Sequence, residues 1–228
     1  MKYIIRSLID FFLPRFCPSC KNKLSPQEEV ICLSCLSTIQ PASKERLQFE
    51  YKKKFVCENL ISGFYSHFVF EKDKALQHLI FSLKYEKRFQ NGYFLGKIAG
   101  NGMLPFIKEW KIDFIIPVPL HPIKKADRGY NQSTYIAKGI TAVTSIPYNQ
   151  KLLRRIRNTL SQTTMTLVER KENISNAFKT TNENIISGKN FLLIDDVITT
   201  GATTSECATK LLEAGANKVY AASVAIAD

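Results

Sequence analysis

Two carboxylates in succession, Asp195 and Asp196, follow the apolar run Phe191-Leu-Leu-Ile194 and open into Val197-Ile198-Thr199-Thr200-Gly201-Ala202-Thr203-Thr204. The order of residue types carries chemistry. An apolar run of this length predicts a buried strand, and in open α/β sheets ligands sit beyond the carboxyl ends of such strands. Gly201 allows backbone to approach a ligand closely. Backbone amides at the start of the following helix, with threonine hydroxyls around them, form an anion cradle. The two halves suit two ends of one molecule: amides and hydroxyls for a phosphate ester, carboxylates for the 2′,3′-diol of a ribose. A plain capped corner needs one Asp or Thr; here two acids and four threonines surround a glycine. A Walker phosphate loop is excluded, because Gly92-Tyr-Phe-Leu-Gly96-Lys97 is one residue short and Ile98 stands where a hydroxyl is required.

A second constellation lies near the start, where Cys17-Pro-Ser-Cys20 and Cys32-Leu-Ser-Cys35 form two Cys-x-x-Cys knuckles. Four thiolates on facing turns suit one tetrahedral zinc ion in a closed, structural site. Disulfide pairing and an iron–sulfur cluster are the other chemistries open to these cysteines. Cys57 and Cys207 are expected to be small buried apolar residues.

These groups need a scaffold, and 228 residues with 45% hydrophobic content are enough for an α/β core plus a small module. The net charge of +12 suggests a polyanionic partner. Tyr3 to Phe16 is too short and too charged to span a bilayer and lacks a small-residue cleavage site. Its spacing predicts an amphipathic helix packed on the protein through Ile4, Ile5, Leu8, Phe11 and Phe12, and a cytoplasmic protein. Pro41 to Lys54 is polar and reads as a connector. A strand is expected around 60–70, helices over 73–84 and 93–109, and a buried strand at Asp113 to Pro117 ending in the Pro119-Leu120-His121 loop. A helix over Gly129–Thr144, a short strand at Leu152–Leu153, a mobile basic loop over 154–166 and a helix near 167–173 follow. The last elements are the Phe191–Ile194 strand, a helix over Thr203–Ala214 and a strand over Lys218–Ala225. Alternating strands and helices predict a mostly parallel sheet flanked by helices. The division is 1–45 for the N-terminal helix and four-cysteine zinc module, and 55–228 for the α/β domain.

The acid-acid-Val-x-Thr-Thr-Gly-Ala-Thr pattern resembles the phosphoribosyl-pyrophosphate (PRPP) motif of type I phosphoribosyltransferases. The whole chain resembles the ComF (ComFC/GntX-like) family. Three further segments carry that resemblance: the four-cysteine N-terminus, Pro117-Val-Pro119-Leu-His121 through Arg128-Gly129-Tyr130-Asn131-Gln132, and Arg157-Asn158-Thr159 through Gln162, Arg170, Asn173, Ala177 and Phe178. The resemblance implies PRPP bound by Asp195 through Thr204, with Pro119, Leu120, His121 and Arg128 near its pyrophosphate. It implies a hood formed by Arg154 to Arg170, and Mg2+ carried with the ligand. If transfer occurs, Asp195 and Asp196 are the residues placed to stabilise positive charge on the ribose. It also implies a part in DNA uptake during natural transformation, with single-stranded DNA and a helicase-like ATPase as partners. The alternative is a metabolic phosphoribosyltransferase delivering ribose 5-phosphate to a base or amine. His67 and His78, in apolar surroundings, are expected to be packing residues.

Overall fold

The computed structural model describes residues 10–72, 74–157 and 176–227. After the cysteine knuckles come a short helix α1 (Leu33–Ser37) and α2 (Lys44–Lys54), then strand β1 (Phe64–Val69). Helices α3 (Ala75–Tyr85) and α4 (Phe89–Trp110) lead to β2 (Phe114–Pro117), followed by α5 (Pro122–Arg128) and α6 (Gln132–Thr144). Then come β3 (Leu153–Arg155), β4 (Phe178–Thr180), α7 (Glu183–Ile186), β5 (Asn190–Ile198), α8 (Ala202–Glu213) and β6 (Lys218–Ile226).

The main sheet has the order β1-β6-β5-β2, every pair parallel, with β5 and β6 running in register from Asn190↔Lys218 to Ile198↔Ile226. Strands buried on both faces are nearly all apolar, as a sheet covered by helices requires. Phe191, Leu192, Leu193 and Ile194 of β5 are each 0% exposed. One core, on the α3, α4 and α6 side, gathers Leu76, Leu79, Leu83, Leu95 and Ile136 around Leu192 and Ile194. The other lies under α8 and packs Phe55, Leu211 and Cys207 against Phe191 and Leu193. Cys17, Leu24, Ile31 and Ile39 of the N-terminal segment join the first core. The fold is therefore the expected α/β arrangement, a mostly parallel sheet flanked by helices.

Several local expectations need correction. Pro41 to Lys54 is no plain connector, because most of it is α2, capped by Ser43. Its polarity conceals a buried charge: Glu50 is 0% exposed and held by Arg46 at 2.9 Å and Lys54 at 3.0 Å, one turn to either side. The helix expected over Gly129–Thr144 starts later, at Gln132, and a separate short helix, α5, precedes it. Gly129, at φ +85°, ends α5, and Asn131 caps α6 by accepting from Ser133 N. Phe11 and Phe12 are 76% and 74% exposed rather than packed; their companions Ile4, Ile5 and Leu8 lie outside the described residues, as does the 167–173 helix. Cys57 is exposed, whereas Cys207 is buried as expected. His78 is exposed with Nδ1 3.3 Å from Ser19 Oγ, so it is no core residue. His67 is half-buried beside the Tyr65 hydroxyl at 2.7 Å, with its pKa lowered by burial.

Candidate functional site

β5 runs longer than its neighbour β2 and carries Asp195 and Asp196 beyond the last β2 pair, Pro117↔Ile194. The two acids meet different partners. Asp196 is 4% exposed, and its Oδ2 lies 2.7 Å from Lys84 Nζ at the end of α3. Burial pulls the Lys84 ammonium down, but the charge of Asp196 holds it above its ordinary value. Asp195 accepts from Ser133 Oγ at 3.0 Å and from the Asp196 amide at 2.8 Å, both on Oδ1. Burial first, then the neighbouring Asp196 charge, push the Asp195 carboxyl up to about 7; Lys84 and the two hydrogen bonds oppose this. A carboxyl that titrates near neutrality at a strand end is a recognised mark of a functional position.

Downstream of the acids the chain turns through Thr199 and Thr200 to Gly201, at φ +82°, which caps α8 with no side-chain hydrogen bond. Only glycine fits: a Cβ there would lie 2.7 Å from Phe55 Cε1, the aromatic plug at the end of α2. Asp195 and Val197 through Thr204 line one small depression of about 30 Å³. Thr199 is exposed, Thr200 and Thr203 half-buried, and Thr204 buried. The predicted cradle residues are thus brought together on one turn.

The segment after β2 is brought nearby but lines a different space. Pro119 and Leu120 border a cavity of about 980 Å³ with Lys125, Asn131, Arg154 and Arg155. His121 caps α5, its Nδ1 accepting from Ile123 N at 3.3 Å, and Arg128 donates to Gln132 Oε1 at 2.5 Å and stacks over the Tyr85 ring at 5.5 Å. Asn131 and Ser133 join the two spaces, since Asn131 Nδ2 bonds Val118 O and Ser133 holds Asp195. Burial lowers the Lys124 pKa, and the positive charges of Arg155 and Arg128 lower it further. Burial also lowers Arg155, with the charges of Cys207 and Asp195 opposing. Lys124 thus stands close to two guanidinium groups, and such a gathering of positive charge makes a place for an anion.

Sequence reasoning missed Lys84, Lys124 and Ser133. Ser133 sits in the first turn after a predicted Asn-Gln segment and could have been noticed there. Lys84 is more than a hundred residues from its partner, and no local pattern announces it. Arg154 to Arg157 of the expected hood are described, on and after β3, where β3 pairs antiparallel with β4 through Arg155↔Phe178. Asn158, Thr159, Gln162, Arg170 and Asn173 lie outside the described residues.

Cys17, Cys20, Cys32 and Cys35 come together with their sulfurs all within 4.8 Å of one another. Cys20 Sγ and Cys32 Sγ are 3.6 Å apart, and the Cys35 amide donates to Cys32 Sγ at 3.4 Å. Tetrahedral thiolates about 2.3 Å from a metal would stand roughly 3.8 Å from each other. All four cysteines are free rather than disulfide-bonded. Burial raises the Cys17 thiol, but backbone amides of Cys32, Cys20 and Ser19 outweigh it and bring the pKa down to about 7. The donor set fits a metal ion.

Competence protein ComFC of Streptococcus pneumoniae is 26% identical over 89% of this chain and 77% of its own length. Competence protein F of Haemophilus influenzae is 27% identical over 58% of this chain and 61% of its own length. DNA utilization protein YhgH of Shigella flexneri is 35% identical over 47% of this chain and 46% of its own length. The chain is thus similar to competence and DNA utilization proteins of the ComF type. It spans about half to two thirds of the length of Competence protein F and the YhgH proteins. No protein-family model matches the chain. Among solved structures, glutamine PRPP amidotransferase from B. subtilis, complexed with ADP and GMP, matches at TM-score 0.40 and 22% identity. That match covers 62% of this chain and 30% of the amidotransferase. Adenine phosphoribosyltransferase matches at TM-score 0.36 and 16% identity, over 60% and 71% of the two chains. Among the described residues no helix is long and apolar enough to cross a membrane.

Proposed function

We propose that this ComF-family chain binds PRPP at the carboxyl end of β5 and acts on transforming DNA in the cytoplasm, binding it as a single strand. One observation carries the PRPP reading: an acid with a raised pKa and a glycine-centred, hydroxyl-lined turn share one strand end, with Lys124, Arg128 and Arg155 crowded nearby. The Thr199–Thr204 turn would take the 5′-phosphate. Asp195 would accept from the ribose hydroxyls, and the cations would face the pyrophosphate. If magnesium accompanies the ligand, Asp195 is the residue that would help hold it, and the ion would supply positive charge against the pyrophosphate. If the pyrophosphate leaves, the positive charge appearing on the ribose has Asp195 beside it. Asp196 plays a different part from the one expected, since Lys84 already engages it. The four-cysteine site is read as structural zinc, its sulfur-only donor set leaving no position for chemistry.

The DNA reading rests on the names of the relatives, competence and DNA utilization proteins, and on the net charge of +12. A helicase-like ATPase is the partner this role calls for. Calorimetric titration of the purified protein with PRPP and magnesium tests the central claim. Saturable binding is expected, weakened about 10- to 150-fold in Asp195→Asn, because a charge-assisted hydrogen bond contributes about 1.5–3 kcal/mol. Unchanged affinity in that variant removes the site from β5.

A further inference from the structure

Phe81, Tyr85, Phe89 and Tyr93 recur every fourth residue through the end of α3 and the start of α4, and all four are exposed, by 51%, 65%, 40% and 39%. Such large apolar faces are costly to leave in water without a purpose. They make a shelf of two ring clusters: Phe81 and Tyr85 have ring centroids 4.9 Å apart, and Phe89 lies 4.9 Å from Tyr135 of α6, which lies 5.3 Å from Tyr130. Gly92 makes the junction of α4 and α6 close enough for this, since a Cβ there would stand 3.0 Å from Tyr135 Cβ.

Cations are interleaved with the rings. The Arg128 guanidinium lies 5.5 Å from the Tyr85 centroid, Lys138 Nζ 4.6 Å from Tyr135, and Lys97 Nζ 5.5 Å from Tyr93. The acids Glu86 and Glu29 are ion-paired to Arg88 and Lys97. Tyr85 of the shelf directly follows Lys84, the partner of Asp196.

We propose that this shelf is a stacking platform for single-stranded nucleic acid, its bases laid on the aromatic faces and its phosphates beside Arg128 and Lys138. Open rings alternating with cations suit a strand whose base faces are unpaired; a duplex hides those faces. A second copy of the chain fits less well, because a two-fold interface would set Arg128 and Lys138 against their own like charges. The inference rests on the nucleic-acid half of the reading above and shares only Arg128 with the PRPP half.

Fluorescence anisotropy of the full chain with labelled oligothymidylate, beside an abasic strand of equal length and charge, decides the matter. The wild-type protein should bind the base-bearing strand more tightly. Phe81→Ala and Tyr85→Ala should each weaken that binding about 5- to 100-fold while leaving the abasic strand unaffected, and Tyr85→Phe should restore it. Thermal midpoint and PRPP titration of the same variants check that folding and the other site are intact. Equal affinity of the wild type for both strands overturns the proposal, as does strand binding untouched by the alanines. So does a shift in oligomeric state with strand binding kept, which would make the shelf a contact between copies. Loss of PRPP binding in Asp195→Asn with stacking retained leaves this inference standing.

Discussion

The proton on Asp195 offers a quantitative test of the site. Burial and the adjacent Asp196 charge raise this carboxyl to about 7. A group whose folded-state pKa lies above its unfolded value contributes stability that is complete below the ordinary carboxyl pKa and is lost as the pH rises through about 7. The ligand-free protein should therefore gain stability from Asp195 on mild acidification from pH 8 to pH 5. PRPP demands the opposite, because its hydroxyls need the ionised carboxylate as acceptor. Relative to the alkaline plateau, protonation of Asp195 should weaken binding about 2-fold at pH 7, about 10-fold at pH 6 and about 100-fold at pH 5. Calorimetry in two buffers of different ionisation enthalpy should register proton release on binding near pH 6. The phosphates of PRPP titrate in the same range, so the informative quantity is the difference between wild type and Asp195→Asn, whose profile lacks only the aspartate. If the two profiles run parallel from pH 5 to pH 8, Asp195 is no acceptor for the ligand.

Three other outcomes follow from the geometry. Asp196→Asn should strand the Lys84 ammonium and cost about 3–5 kcal/mol in denaturant unfolding, Lys84→Met should do the reverse damage, and the double variant should recover much of the loss; additive single effects would show that the 2.7 Å pair is not coupled. Cys17→Ser or Cys32→Ser should drop zinc, measured by elemental analysis, from one per chain towards none and lower the thermal midpoint; retained zinc would refute the four-sulfur assignment. Gly201→Ala should destabilise the protein more than Gly188→Ala. Both residues have positive φ, +82° and +70°, but only Gly201 faces Phe55, with nothing within 4 Å at Gly188. Equal melting shifts would mean that Phe55 moves aside freely.

How far the sequence discloses this molecule follows from how local each determinant is. The apolar run at Phe191–Ile194 and the order acid, acid, threonine, glycine are complete within fourteen residues, so the strand, the turn and the helix behind it are legible. The cysteine knuckles are legible for the same reason, because each pair is spaced by its own short turn. What escapes is settled by partners distant in the chain. Pro41 to Lys54 looks like linker because its helix presents charge almost everywhere, and the cation pair around Glu50 that lets a carboxylate be 0% exposed is invisible to a hydrophobicity pattern. The start of α6 is set by the left-handed φ of Gly129, which ends α5, and by the Asn131 cap, and a helical period alone shows neither. The acid pair shows the same limit at the site itself. Asp195 and Asp196 are one peptide apart and identical in kind, yet Lys84, reached across 112 positions, pairs with Asp196 while Ser133 donates to Asp195. The fold therefore gives two adjacent aspartates different neighbours, and on the proposed reading only Asp195 is left to meet a ligand. No reading of a motif could assign those parts in advance.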